Sequence, residues 1–494
     1  MPSRRQFLQS MGLGAAAAML PSVSRGADER PNILYIMSDD HAAPAISAYG
    51  SFLAKVAPTP NLDRIAREGM LFRNCLVTNS ICTPSRAAIF TGKYAHKNGV
   101  YKFTALDQSQ PTLPKMMQAA GYHTGLVGKY HLHSNPVGLD FWSVLPGQGC
   151  YHDPQFVEMG DEHPSGWVKR GKRTTYQGHS SDVIADKAIH YLTNVRPKDK
   201  PFYFCCQFKA PHDTWECAKR YEGYLADVDI PEPTTLHDDY ATRSDALRTT
   251  GQKIGVHHTN YVKPDQEPDE RKRRSACYQI YIRKYLRCVK GIDDNVGRIL
   301  DTLEKLGLEK NTIVIYTADQ GFFLGEHGLY DKRFFYEESL RMPFLVRWPG
   351  RVKAGSTNED LVLNVDFAPT LLEAVGAQPH PEMQGRSFLP ILDGTTPADW
   401  REAMYYRYYV SHFNTEPHYG VRTKTHKLIY YDRTKQWELF DLRTDPNELR
   451  NIIDAPASAP IVKTLKAELT RLQTELGDDP KDDGSRPRTG FEKR

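Results

Sequence analysis

The chain is 494 residues long, 40% hydrophobic and 25% charged, an ordinary globular composition that excludes a disordered or fibrous protein. At ~150 residues per domain the length corresponds to about three domains, although large α/β enzymes often form one big domain with an appendage. Lys and Arg total 64 against 60 Asp and Glu, a net charge of +4, which lacks the basic excess of a nucleic-acid binder.

The first 27 residues read as an export signal. Ser3-Arg4-Arg5-Gln6-Phe7-Leu8 supplies a basic start, Met11 to Leu20 a short apolar run, and Ser24-Arg25-Gly26-Ala27 small residues before a cleavage point. The arginine pair followed by Phe-Leu resembles a twin-arginine signal, so the expected partner is the twin-arginine export machinery and the expected location is the periplasm or the exterior. The apolar run is about half of the ~20 residues a spanning helix needs. No later stretch reaches that length, so stable membrane insertion is not expected. The signal carries Arg4, Arg5 and Arg25 and no acidic residue, so its removal leaves +1.

Beyond the signal, Asn32 to Met37 is a short apolar run ending in Ser38-Asp39-Asp40, as in a strand buried on both faces. Residues 61–70 have helical spacing and stop at Gly69. Further strands are expected at 123–127, 202–208 and 312–317, separated by helices that include 181–194 and about 278–306. Strands alternating with helices predict an α/β fold with a large, mostly parallel sheet and helices on both faces. The polar stretch 227–275 reads as a surface excursion. From about residue 395, aromatic segments at 403–410, 427–431 and 437–441 predict a short antiparallel sheet, followed by a helix near 459–475 and a polar tail. The expected organisation is a signal over 1–27, a catalytic domain over 28–394 and a smaller α+β subdomain over 395–494. Eight cysteines are too few for a disulfide scaffold and lack zinc-site spacing.

Three groups of residues carry chemistry. In Cys82-Thr83-Pro84-Ser85-Arg86, Pro84 suits the first turn of a helix, placing Cys82 at an N-terminus where free N–H groups favour an anion. Arg86, one helical turn on, reaches the same face. Asp39 and Asp40 end one strand, and Asp319-Gln320 end another. Ligands in open α/β sheets gather outside the carboxyl ends of strands, so the two ends can share a crevice. Three carboxylates and an amide oxygen are hard ligands, suited to Ca²⁺ or Mg²⁺ rather than zinc. Lys129 and His131 follow the 123–127 strand, His212 follows the 202–208 strand, and Lys332 closes GEHGLYDK.

The run C-x-P-S-R followed by apolar residues and Thr91-Gly92 resembles the signature of the type I sulfatases, within the alkaline-phosphatase-like superfamily, and the resemblance covers roughly residues 30–452. It implies that a maturation enzyme converts Cys82 to formylglycine, whose hydrated aldehyde attacks sulfur. It also implies a calcium ion held by Asp39, Asp40, Asp319, Gln320 and residue 82. The family usually has Asn or His where this chain has Gln320, which still offers an amide oxygen. Arg86, Lys129 and Lys332 then bind sulfate or steady the nucleophile, His131 takes a proton from the second hydroxyl, and His212 protonates the departing alcohol. His41, His133 and His327 match less clearly and are left out of the catalytic set.

Trp142 to Gly149, Lys209 to His212 and the run from Gly325 to Gly350 look like the branch that includes N-acetylglucosamine-6-sulfatases. His418 to Arg422 resembles a segment of the substrate pocket there, so His418 joins His212 and Lys332 as expected substrate contacts. The expected substrate is a sulfated saccharide, with 6-O-sulfated N-acetylglucosamine the leading choice. Competing readings are a phosphodiester or phosphonate-ester hydrolase on the same scaffold, a sulfatase for another sulfated polysaccharide or a small sulfate ester, and a glycan-binding protein with a disabled site. The intact set Cys82, Arg86, Asp39, Asp40, Asp319 and Lys332 argues against the last.

Overall fold

The computed structural model describes residues 30–160 and 171–481; the expected signal over 1–27 and the end of the polar tail lie outside them. Asn32–Ser38 is buried along its whole length because it pairs in parallel with strands on both sides, Phe202–Phe208 and Thr312–Ala318. Alternation assigns its side chains to two cores. Ile33, Tyr35 and Met37 join one, with the helices Cys82–Thr91 and Phe367–Ala374. Leu34 and Ile36 join the other, with Ser180–His190 and Glu270–Lys305.

The main sheet has ten strands, in the order Ser356–Asn358, Met70–Phe72, Phe344–Arg347, Thr312–Ala318, Asn32–Ser38, Phe202–Phe208, His123–Gly128, Phe141–Val144, Gln155–Glu158 and Lys172–Thr175. The five strands from Thr312–Ala318 to Phe141–Val144 are parallel. Their register aligns the strand ends: Ser38 lies beside both Phe208 and Ala318, and Gly128 beside Gln207. Four strands therefore end on one edge, and the residues after them, Asp39, Lys129, Lys209 and Asp319, emerge side by side.

Several elements depart from their expected bounds. The helix expected over 181–194 runs Ser180–His190 and then widens into a π-turn at Tyr191–Val195. The helix expected from 278 begins at Glu270, where Asp269 caps it by accepting from the Lys272 N–H at 2.9 Å. The stretch 227–275 is more than a surface excursion: Ile230, Leu236, Leu247 and Ile254 are buried, and His258 reaches the cavity in front of Cys82.

Near the C-terminus, Ala403–Tyr408, His418–Thr423, His426–Tyr431 and Trp437–Asp441 form an antiparallel sheet, covered by Ala459–Leu476 through Leu465, Leu469 and Leu472. Its second strand, His418–Thr423, escaped the periodicity reading because Gly420 interrupts the pattern. Glu337 pairs with Arg422 at 3.1 Å and Lys427 at 2.9 Å, and Lys427 also meets Glu448 at 2.7 Å, a buried ionic seam between this sheet and the 325–341 loop. All eight cysteines are unpaired, and six of them are buried.

Gly128 turns the chain into Lys129 at φ +97°, and a Cβ there would sit 1.9 Å from the Gln207 carbonyl oxygen. Gly128→Ala is expected to cost about 2–3 kcal/mol by forcing both strain and a clash. Thermal denaturation checks this; an unchanged melting temperature would contradict the packing.

Candidate active site

The helix Cys82–Thr91 starts where Ile81 is still extended and stops where Gly92 enters the left-handed region, at φ 64°. Every residue in it is buried, so Arg86 enters the interior with no route to water. All three of its guanidinium nitrogens donate. Nε donates to Asp319 Oδ2 at 3.0 Å, one terminal nitrogen to Asp39 Oδ2 at 3.0 Å, and the other to Gln207 Oε1 at 3.0 Å and to the Lys129 carbonyl. A planar five-donor group suits this task because it bridges two carboxylates in fixed geometry.

Asp39, Asp40 and Asp319 each turn a carboxylate oxygen to within 4.8 Å of the others. Lys129 Nζ pairs with Asp39, and Lys332 Nζ donates to both oxygens of Asp40 at 2.6 and 2.5 Å. Burial works against the charged form of all three. For Asp39 the nearby Lys129 and Arg86 outweigh burial and hold the carboxyl well below its usual range. Burial, helped by the neighbouring carboxylates, wins for the other two: Asp40 is pushed up to about 8, and Asp319 also rises.

The donor set fits a hard divalent cation. Gln320 gives its Nε2 to Asp40, while its Oε1 is buried with no hydrogen-bond partner among the described residues, an amide oxygen beside three carboxylates. Such a set suits Ca²⁺ or Mg²⁺ chemistry rather than a soft metal.

Cys82 Sγ lies 3.7 Å from Asp39 Oδ1. Burial and the Asp39 charge push its thiol far above the ordinary range, outweighing Lys332 and Lys129. As a thiol, Cys82 is therefore a poor nucleophile despite its helix N-terminus.

The cavity in front of Cys82 holds about 320 Å³ and is lined by Asp40, Gln148, His212, Asp213, Lys332 and Arg333 among others. Gln148 Oε1 accepts from Lys129 Nζ at 2.5 Å. His212 sits with Nε2 3.7 Å from Asp40 Oδ2 and Nδ1 against Asp213. Burial, with the Lys129 and Lys332 charges, lowers its imidazole to about 4.

Most of the expected site residues converge here, and two differ in placement. His131 is buried beside the Cys82 helix, with its carbonyl accepting from Thr83 Oγ1 at 2.9 Å and its ring 5.7 Å from Phe103. Phe103, rather than the His131 ring, forms the cavity wall. His418 does not line the cavity at all. It is fully buried, packed among Phe334, Tyr406, Tyr408 and Tyr431, with Nδ1 2.8 Å from the Glu416 carbonyl. Tyr406, stacked on the His418 ring, donates its hydroxyl to the Arg333 carbonyl. The expected substrate contact is thus a brace behind the Lys332–Arg333 loop, because its strand turns that side chain inward. Sequence reasoning missed Asp213, His258, Arg333 and Phe413; only Asp213 and Arg333 carried a signal, by adjacency to His212 and Lys332.

The fold and this cavity define a hydrolase of the alkaline-phosphatase-like kind, and the comparisons give the family. The chain belongs to the sulfatases: the sulfatase family model matches residues 31–377, and the model of the N-sulphoglucosamine sulphohydrolase C-terminal region matches 325–475. It is a sulfuric ester hydrolase by membership. It is 40% identical to the N-acetylglucosamine-6-O-sulfatase of Bacteroides thetaiotaomicron, over 92% of this chain and 88% of that one. It is 27% identical to human N-acetylglucosamine-6-sulfatase, over 77% and 67%. A solved protein holding its substrate D-glucosamine-2-N,6-O-disulfate superposes with a TM-score of 0.84 at 39% identity, over 92% of this chain and all of that one. A phosphonate monoester hydrolase from Silicibacter pomeroyi shares the fold at 21% identity and a TM-score of 0.71.

Arg86→Ala leaves Asp39 and Asp319 facing each other without their bridge. Loss of about 3–5 kcal/mol of stability is expected, as for a broken buried pair, together with loss of activity. Chemical denaturation measures the first; a variant as stable as the parent would contradict the bracing role.

Proposed function

We propose that this protein is an exported glycan sulfatase that removes the 6-O-sulfate from N-acetylglucosamine residues. The observation that carries this reading is the cavity around which Cys82, the three-carboxylate cluster, Lys129, Lys332 and His212 meet, supported by the 40% identity to an N-acetylglucosamine-6-O-sulfatase. Export rests on the arginine-pair signal over residues 1–27. Among the described residues no helix is long and apolar enough to cross a membrane.

Asp39, Asp40, Asp319 and the Gln320 amide oxygen would hold calcium, which supplies positive charge to a sulfate oxygen and to the attacking group. Formylglycine made from Cys82 would supply a hydroxyl nucleophile in place of the buried thiol. The other steps belong to the chain's own side chains. Lys129 and Lys332 offer ammonium groups to the sulfate oxygens, held in place by Asp39 and Asp40. Arg86 fixes the two carboxylates whose strands carry them, so that little reorganisation is needed when charge develops in the transition state. Asp319 would help hold the metal and help activate the nucleophile. His212 stands at the cavity wall to protonate the leaving alcohol.

Released sulfate from 6-O-sulfated N-acetylglucosamine should exceed phosphate released from the matching phosphate ester by several orders of magnitude. Predominant phosphoesterase activity would overturn the assignment. Chelation is expected to abolish turnover and to lower the melting temperature, with calcium restoring both; full activity of metal-free protein, verified by elemental analysis, would contradict the donor-set reading.

A further inference from the structure

His212, Asp213 and His258 line one wall of the cavity as a chain of contacts. Asp213 Oδ1 lies against His212 Nδ1, and Asp213 Oδ2 lies 3.4 Å from His258 Nε2. The side chains grow steadily more open outward, from 12% exposed at His212 to 29% at Asp213 and 40% at His258. The Asp213 carbonyl adds a second acceptor 2.9 Å from His212 Nδ1 and itself accepts from Lys209 Nζ at 3.4 Å.

An ionised carboxylate and a carbonyl can only accept, so an imidazole nitrogen held between them must carry a hydrogen. The partner at one ring nitrogen decides what the other can do. His212 Nε2 is then the nitrogen that faces the reacting groups, 3.7 Å from Asp40 Oδ2. We propose that Asp213 is a positioning residue for the leaving-group acid: it holds the Nδ1–H, so that once the sulfate anion offsets the Lys129 and Lys332 charges and the ring is doubly protonated, the proton it can give up is on Nε2, with His258 steadying the Asp213 carboxylate from the solvent side. This rests on the reading of His212 as that acid. As the sulfur–oxygen ester bond breaks, its electron pair goes to the leaving oxygen, which takes the Nε2 proton. His212 is left neutral, with its Nδ1–H still on Asp213, and water admitted after the alcohol departs returns a proton to Nε2.

A sugar alkoxide is a poor leaving group and needs this proton; 4-nitrophenolate does not. The experiment compares wild type with His212→Ala, Asp213→Ala, Asp213→Asn and His258→Ala on 6-O-sulfated N-acetylglucosamine and on 4-nitrophenyl sulfate. Asp213→Ala should lower kcat on the sugar about 100-fold, the scale of general-acid catalysis, with KM little changed and only a few-fold loss on the aryl ester. Asp213→Asn keeps an acceptor oxygen and should retain more sugar activity than Asp213→Ala, with His258→Ala milder still. Equal losses on both substrates, or none on either, would overturn the proposal. His212→Ala separates the two levels. If it discriminates between leaving groups while Asp213→Ala does not, only the positioning role fails; if it does not discriminate, the acid assignment fails and takes the positioning role with it.

Discussion

Arg86 is the contact on which the rest of the site depends. Its guanidinium, almost wholly removed from solvent, joins Asp39 at the end of one central strand to Asp319 at the end of the next. Burying a permanently charged group is costly unless it is paired and hydrogen-bonded, and here two carboxylates, a carbonyl and the Gln207 amide oxygen accept four of its five N–H groups. The parallel register brings the two strand ends together, and the helix beginning at Cys82 delivers the arginine one turn below the reactive residue. A single helix therefore places both Cys82 and the arginine that ties the acidic cluster together.

Around that contact three carboxylates, Asp39, Asp40 and Asp319, face three cations, Arg86, Lys129 and Lys332. Burial and mutual repulsion raise Asp40 and Asp319 when they stand without a cation, and a divalent ion held by them would tip the cavity positive where a sulfate must sit. This makes sense of the chain's near-neutral charge. Attraction for an anionic substrate comes from a few fixed groups whose fields act at close range in a buried site, with no contribution needed from a basic surface.

Much of this was legible in the sequence, for physical reasons. A strand buried on both faces is a continuous apolar run, so Asn32–Ser38, Phe202–Phe208 and Thr312–Ala318 announced themselves, and the polar residues just beyond each run marked the working edge of the sheet. Pro84 marked the helix start and so the place of Cys82. The four-residue spacing brought Arg86 to the same side. What sequence order could not give was which side of a strand faces the cavity once tertiary packing is complete. His418 turned into an aromatic cluster behind Arg333, and Phe103 lines the cavity while the His131 ring packs behind it. The segment 227–275 hid His258 because long-range docking of a polar loop leaves no periodic signal.

Burial and Asp39 push the Cys82 thiol well above its ordinary range, which is why the proposed chemistry assigns the nucleophile to a converted residue 82. The decisive measurement is mass spectrometry of the Cys82 peptide, from protein made in a host with the maturation enzyme, read against sulfatase turnover. The peptide should be lighter by about 18 Da, as an aldehyde replaces a thiol, and turnover should be proportional to the converted fraction. Full turnover from protein whose Cys82 is wholly unmodified would contradict this.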